Sequence, residues 1–169
     1  MLPYVDLQIS LSDLGFTVGA TVSERLRTFA GELFRFEEHM QRLQQSLAIV
    51  GIELTESIDE LKQAACEIAS HNHGQLDPSD DLGMAILGTP GLTGESPRRP
   101  TVMIFTAPLG FDSWSDSYRE GTELVTSRHR QIPASSWHPH LKCRSRMHYY
   151  LADQEAERKQ GGARALLLD

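Results

Sequence analysis

The stretch that decides the fold prediction covers residues 19–51 and reads GATVSERLRTFAGELFRFEEHMQRLQQSLAIVG. Its first part carries apolar residues at Val22, Leu26 and Phe29 with β-branched residues among them, a pattern typical of a strand. The segment AGELF, residues 30–34, follows with a glycine and indicates a tight turn. We therefore expect a strand that turns sharply into the next element.

The second part of this stretch predicts a helix that begins near Phe36. Its apolar residues recur at helical spacing and share one side: Met40, Leu43, Leu47 and Val50. Gly51 is expected to end this helix, as glycine commonly does just past a helix end. A second helix follows, because Ser57 and Glu60 have the spacing of a capping box. Its predicted buried residues are Ile58, Leu61, Ala65 and Ile68.

Short apolar runs replace the helical pattern further along the chain. LGMAILG (82–88) and TVMIFTAPL (101–109) predict two antiparallel strands, joined by a long loop rich in glycine and proline. TELVTSRHR (122–130) predicts another strand, and QIPASSWHPH (131–140) has the prolines typical of a connector. Helices and strands thus occur without strict alternation, which indicates an α+β fold.

The C-terminal region predicts one more helix and one more strand. The helix is expected from about Cys143 to Lys159, which would place Lys142 at its start. The final ARALLLD (163–169) is typical of a buried strand.

Composition excludes several classes of function. With 169 residues and 40% hydrophobic content the chain can bury a sizeable core, and its net charge of -7 disfavours a nucleic-acid partner. No apolar run approaches the roughly 20 residues that span a bilayer, so no membrane partner is expected. The N-terminus lacks the pattern of a secretory signal. Cys66 and Cys143 alone make no disulfide framework, which favours a cytoplasmic protein.

Three basic residues could carry chemistry. A partly shielded Lys142 at a helix start could act as a nucleophile toward a carbonyl, although a surface lysine is the commoner case. Arg42 lies at the edge of an apolar stripe and could grip a phosphate with its planar fork, or extend into solvent. Arg27 allows the same two interpretations.

Histidine pairs and a glycine-rich loop offer weaker alternatives. His71 with His73, and His138 with His140, form H-x-H pairs that could in principle bind a metal, but no carboxylate or cysteine stands at ligand spacing. No metal site is therefore predicted. Cys143 lacks an obvious base partner, so packing is the favoured interpretation. The GTPGLTG loop matches no phosphate-binding motif.

Three blocks follow one another along the chain: GFTVGATVSERLRTFAGELFRFEEHMQRL, then PTVMIFTAPL with GTELVTSRHRQIP, and then HLKCRSRMHYYLADQEAERKQGGARALLLD. In this order they resemble the class IV aminotransferases. These relatives are pyridoxal-phosphate (PLP) enzymes of fold type IV and include branched-chain and D-amino-acid aminotransferases and aminodeoxychorismate lyase.

The resemblance implies specific roles. Lys142 would be the catalytic lysine that forms the cofactor aldimine, and Arg42 would bind the cofactor phosphate. Arg27 and Arg146 would contribute to the substrate pocket. An amino group would pass between an amino acid, branched-chain or similar, and a 2-oxo acid, with PLP as cofactor and a homodimer as the assembly. An aminodeoxychorismate lyase and a non-catalytic relative remain as alternatives.

The resemblance also implies a two-domain organisation. We expect a complete small α+β domain at residues 1–127, an interdomain linker at 128–138, and the start of the large domain at 139–169. The family continues past the ALLLD strand with further cofactor-binding segments. Asp169 is therefore expected to be a cut edge within a longer protein.

Overall fold

The computed structural model describes residues 2–77 and 79–169, apart from the side chain of Ser113. Its α-helices are α1 (Leu14–Thr17), α2 (Phe36–Val50), α3 (Ile58–His73), α4 (Phe111–Glu120) and α5 (Met147–Lys159). Its strands are β1 (Val22–Phe29), β2 (Glu32–Leu33), β3 (Leu82–Thr89), β4 (Thr101–Pro108), β5 (Leu124–Arg130) and β6 (Arg164–Leu168). None of the helices within these described ranges is long and apolar enough to cross a membrane.

The chain divides into two compact units. The first comprises Met1–Leu109 and His140–Ser145, and the second comprises Gly110–Pro139 and Arg146–Asp169. β5 therefore packs with the C-terminal segment, whereas most of it was expected in the first domain. The domain boundaries at 127 and 138 stay a prediction.

The first unit is an antiparallel sheet covered by helices. Its strand order is β2-β1-β3-β4, with β1 and β3 paired along Val22–Arg27. Alternation puts every second residue of β1 on one face, where α2 and α3 bury their apolar sides. This core contains Val22, Leu26, Met40, Leu43, Leu47, Ile52, Leu61, Ala65, Ala69, Met84 and Ile86. The predicted strand, turn and two helices of this unit are confirmed.

Two local features fix the ends of these helices. In α3, the Ser57 hydroxyl accepts from the Glu60 backbone N–H at 3.2 Å while the Glu60 carboxylate accepts from the Ser57 N–H at 2.8 Å, so the predicted capping box is confirmed. α2 ends at Gly51, which has a φ of 67° and so occupies the left-handed region that favours glycine.

The second unit pairs β5 with β6 in parallel, and α5 connects them along the chain. Glu155 of α5 accepts from the Ser127 hydroxyl at 2.7 Å and from the Arg128 backbone N–H at 3.1 Å, which attaches the helix to β5. α4 was not predicted, because the serines and acidic residues of FDSWSDSYRE separate its aromatic residues and obscure their helical spacing.

The predicted start of the last helix is wrong. α5 begins at Met147 rather than Cys143, because the preceding segment bonds to the backbone at the start of β1 instead. The Ser23 N–H donates to the Lys142 carbonyl at 3.0 Å, and the Arg144 N–H donates to the Thr21 carbonyl at 2.9 Å. These backbone groups are thus committed to an extended conformation.

Candidate functional site

Glu24 places a charged side chain on the core face of β1. It lies between Val22 and Leu26 on that face, and its side chain is fully buried. A carboxylate removed from water is tolerated only when it is hydrogen-bonded and paired with positive charge. Its surroundings therefore define a buried polar site of the first unit.

Two residues of α2 satisfy this carboxylate. Arg42 donates from Nε to Oε1 and from Nη2 to Oε2 of Glu24, each at 2.7 Å. His39 lies three residues earlier, on the same side of the helix, with Nδ1 2.7 Å from Oε2. The Arg42 guanidinium thus makes two parallel hydrogen bonds, as its planar shape allows, but along its Nε–Nη2 edge they go to Glu24 rather than to a phosphate.

The charges around Glu24 keep it ionised. Burial raises the pKa of this carboxyl, but hydrogen bonds from Arg42 and His39, together with the positive charges of Arg42 and Lys142, outweigh that effect. The pKa of Glu24 therefore lies below its usual range. Arg42 and Lys142, both named from the sequence, act on this one carboxylate.

Lys142 is held through its backbone. Its N–H donates to the Ser46 hydroxyl at 3.2 Å and its carbonyl accepts from Ser23. Ser46 is fully buried and lies one helical turn beyond Arg42 on α2. The lysine is half-buried in an extended segment, so the expected position at a helix start is wrong. α2 thereby carries both Arg42 and the residue that anchors Lys142.

A surface pocket opens beside Arg42. It has a volume of about 370 Å³ and is lined by Phe34, Arg35, Glu38, His39 and Arg42. Arg35 is paired with Glu38 in this lining. The Arg42 side chain is 46% exposed, so its guanidinium spans from the buried carboxylate to the open pocket.

Arg27 belongs to a different environment. It lies three positions after Glu24 along β1, which places the two side chains on opposite faces of the strand. Its Nε donates to the Thr28 carbonyl at 3.0 Å, its Nη2 lies 3.6 Å from Asp81, and its guanidinium stacks 4.1 Å from the Phe29 ring centre. Its predicted role in substrate binding stays a prediction.

Arg146 lies in the second unit, immediately before α5. Its guanidinium sits 4.3 Å from the centre of the Tyr149 ring. Burial and the charge of Arg146 lower the pKa of His148. The predicted role of Arg146 toward a substrate also stays a prediction.

The histidine pairs do not gather other ligands in the part of the chain that the structure describes. Within residues 2–77 and 79–169, no group of three or more histidine, cysteine or acidic side chains is arranged to hold a metal ion. His73 instead contacts the Asp80 carbonyl through Nε2 at 3.1 Å.

Sequence reasoning missed Glu24, His39 and Ser46. A signal existed for Glu24, because a charged residue between two apolar positions of an alternating strand requires a buried partner. His39 and Ser46 stand at helical spacing on either side of Arg42, which marks them as neighbours of its side chain.

Comparison with known proteins finds relatives of this chain. A family model described as amino-transferase class IV matches residues 21–169. The chain is 25% identical over 128 residues to a D-alanine aminotransferase of Staphylococcus epidermidis, covering 72% of this chain and 43% of the relative. It is 27% identical over 144 residues to a branched-chain-amino-acid aminotransferase of Salmonella typhimurium, covering 79% and 45%.

Solved structures share the fold. The PLP-bound form of a hypothetical aminotransferase from Mycobacterium tuberculosis superposes with a TM-score of 0.79 at 20% identity, covering 95% of this chain and 56% of that one. The fold prediction is confirmed, and the chain spans about half the length of the relatives it matches.

Proposed function

Because this chain belongs to the class IV aminotransferases, we propose that its first unit binds PLP through Arg42 and Lys142. One observation carries this proposal: Arg42 and Lys142 both act on the buried carboxylate of Glu24, and α2 carries Arg42 as well as Ser46, which binds the Lys142 backbone. Since the chain spans about half the length of its relatives, the activity, substrates and partners of the whole enzyme belong to the proposal.

The residues present fit the cofactor. Of the five N–H donors of Arg42, Glu24 takes two, and the remaining three suit a phosphate group beside the open pocket. Lys142 supplies a half-buried primary amine, the group that binds the cofactor's aldehyde. Members of this family use PLP, and the Mycobacterium tuberculosis relative carries it.

Each residue has a distinct task in the proposed transfer of an amino group from an amino acid to a 2-oxo acid. When bound, the cofactor supplies an electron sink for the reacting Cα. Lys142 Nζ would take the proton from the substrate Cα as a general base and would deliver it as a general acid to the former aldehyde carbon. Arg42 fixes the phosphate end, which keeps the aldehyde end within reach of Lys142.

The substrate and the assembly are also part of the proposal. Relatives named for branched-chain amino acids and D-alanine support an amino acid donor. Arg27 and Arg146 are proposed to bind substrate, because a guanidinium pairs with a carboxylate through two parallel hydrogen bonds. A homodimer and a cytoplasmic location complete it, supported by the family resemblance and by the cysteine content respectively.

Covalent labelling tests the role of Lys142 directly. The purified chain is incubated with PLP, reduced with borohydride and mapped by peptide mass spectrometry. Its three lysines are Lys62, Lys142 and Lys159, so the labelled position can be assigned without ambiguity. We expect a visible absorbance band before reduction and the label on Lys142, because its half-buried amine acts on Glu24, the carboxylate that Arg42 pairs with.

Two variants serve as the comparison. Lys142→Ala should remove both the band and the label. Lys62→Ala should keep them, because that lysine is paired with Glu37 on the surface of the first unit. Labelling that persists in Lys142→Ala, or that is confined to another lysine, would overturn the proposed function.

A further inference from the structure

The Arg42 guanidinium is held along one edge before any phosphate arrives. Glu24 accepts from Nε and from Nη2, the side-on arrangement in which two parallel hydrogen bonds fix the plane of the group. The carboxylate of the pair lies in the core, whereas the arginine side chain is 46% exposed at the pocket. The donors left over are both hydrogens of Nη1 and one of Nη2.

His39 completes the arrangement through its Nδ1. The distance of 2.7 Å from Nδ1 to Glu24 Oε2 is a hydrogen bond only if Nδ1 carries the proton, since a carboxylate oxygen cannot donate. Nδ1 and Arg42 Nη2 lie 3.3 Å apart because both donate to the same acceptor, Glu24 Oε2, and they are not hydrogen-bonded to each other. Oε2 is thus bonded twice, and the carboxylate cannot rotate without losing both donors.

The geometry points to Glu24 and His39 as positioning residues, which lock the Arg42 guanidinium so that its remaining donors face the cofactor phosphate. This inference rests on the proposed function, in which Arg42 binds that phosphate. A side chain already held in its bound geometry loses less freedom when the ligand binds. His39 contributes by fixing the carboxylate, and Glu24 by fixing the guanidinium.

Charge and geometry predict opposite outcomes when Glu24 loses its charge. If net charge dominated, Glu24→Gln would make the site more positive and would strengthen phosphate binding. If positioning dominates, the same change weakens binding, because the amide nitrogen of glutamine is a donor that cannot face the donors of Arg42. The sign of the effect therefore separates the two explanations.

The test compares PLP with pyridoxal, which lacks the phosphate. Dissociation constants for both aldehydes are measured by absorbance titration on the 169-residue chain. The Kd of pyridoxal divided by the Kd of PLP, here called the phosphate ratio, reports the phosphate contact alone. We expect Glu24→Gln to lower the phosphate ratio about 10-fold or more, as the loss of charge-assisted hydrogen bonds commonly does. Pyridoxal affinity should stay unchanged, which a merely structural role would not ensure.

The His39 pair of variants tests the second residue independently of Glu24. Asparagine places an N–H donor near the position of Nδ1, so His39→Asn should keep most of the phosphate ratio. His39→Phe removes the donor and should lower the ratio about 3- to 10-fold, the usual consequence of losing one hydrogen bond. Glu67→Gln is the matched control and should keep the phosphate ratio, because it removes the charge of an exposed glutamate that contacts Gln63 on α3 and lies outside the pocket lining. Circular dichroism checks the fold of each variant.

Two results would overturn the inference in different ways. Equal affinity of the unaltered chain for PLP and pyridoxal would show that Arg42 does not bind the phosphate. That result would overturn both the proposed function and the inference. A phosphate ratio that falls in Arg42→Ala but is kept or raised in Glu24→Gln and His39→Phe would overturn the positioning role alone and leave the proposed function standing.

Discussion

Glu24 has its side chain wholly out of water on the core side of β1, beneath α2. Burying a charge there is unfavourable unless its partners are retained. The side-chain positions of Arg42 and His39 are therefore as strongly constrained as those of the apolar core residues around them. A residue that is costly to bury and fully hydrogen-bonded is thus suited to orienting a neighbour, since any displacement of the partner leaves an unpaired charge.

Ser46 is the residue through which α2 holds the backbone of Lys142. We expect Ser46→Ala to lower the free energy of unfolding by about 1 kcal/mol, because the Lys142 N–H loses its acceptor in a partly buried position. Urea unfolding measures this change. Hydrogen exchange gives the residue-specific readout, in which the Lys142 amide should exchange faster.

Ser70→Ala is the matched control for this prediction, since Ser70 is an exposed serine on α3. Its unfolding and the exchange of Lys142 should match the unaltered chain. Unchanged Lys142 exchange in Ser46→Ala would show that the 3.2 Å contact does not hold the lysine.

α2 combines two stripes on one helix. Its apolar side faces the sheet through Met40, Leu43 and Leu47. The adjacent stripe carries His39, Arg42 and Ser46 at spacings of three and four residues. Because the helix is rigid over one turn, the separation between the arginine and the serine that holds the lysine segment is set by helical geometry alone.

α5 is attached to β5 by a carboxylate whose titration can be followed. Hydrogen bonds from Lys159 and Ser127 outweigh burial and, with the Arg128 N–H, lower the pKa of Glu155 from 4.5 to about 2. Because the pKa is depressed in the folded chain, its contribution to stability is present above pH 4.5 and is lost as the pH falls toward about 2.

Glu155→Gln should therefore lower the urea-unfolding midpoint near neutral pH. The difference in midpoint between Glu155→Gln and the unaltered chain should narrow as the pH falls below about 4.5, since residue 155 then becomes neutral in both chains. Glu157→Gln, two residues further along the same helix, is the matched control, because that carboxylate accepts from the Gly162 N–H rather than from β5. If the midpoint difference for Glu155→Gln stays unchanged down to about pH 2.5, the ionised Glu155 carboxylate does not stabilise the contact between α5 and β5.

The two units of the whole molecule differ in the depth of their cores. The first buries large apolar side chains from β1, β3, α2 and α3. Among the residues that the structure describes, the buried apolar residues of the second unit are Ala152, Ala156 and Ala163, while Leu124, Leu166 and Leu168 are exposed. Small buried side chains remove little apolar surface from water, so the second unit has less to stabilise it.

This difference predicts where the chain opens first. Backbone amides of β1, β3 and α2 should exchange with deuterium more slowly than those of α5, β5 and β6, because local unfolding is easiest where few apolar contacts are lost. Hydrogen exchange with mass spectrometry of the whole chain measures this order. Equal protection in both units would indicate that the second is stabilised by something other than its apolar core.

Local patterns in the sequence were enough for much of the first unit. The periodicity of α2 and α3, the capping box at Ser57 and the strand runs of β1, β3 and β4 depend on neighbours within a few residues, so they can be predicted without the tertiary structure. The ordered blocks indicated the family, which the comparison confirmed. Lys142 and Arg42 were named from these blocks, and their roles stay predictions.

Tertiary structure alone decided the partners. Glu24 meets Arg42 across 18 residues and Ser46 meets Lys142 across 96, and no local spacing encodes either contact. The segment around Lys142 is extended because β1 offers it hydrogen bonds, although its own pattern favoured a helix start. Local preference is weak compared with the requirement that buried polar groups be paired, and that requirement is met only by residues that the fold brings together.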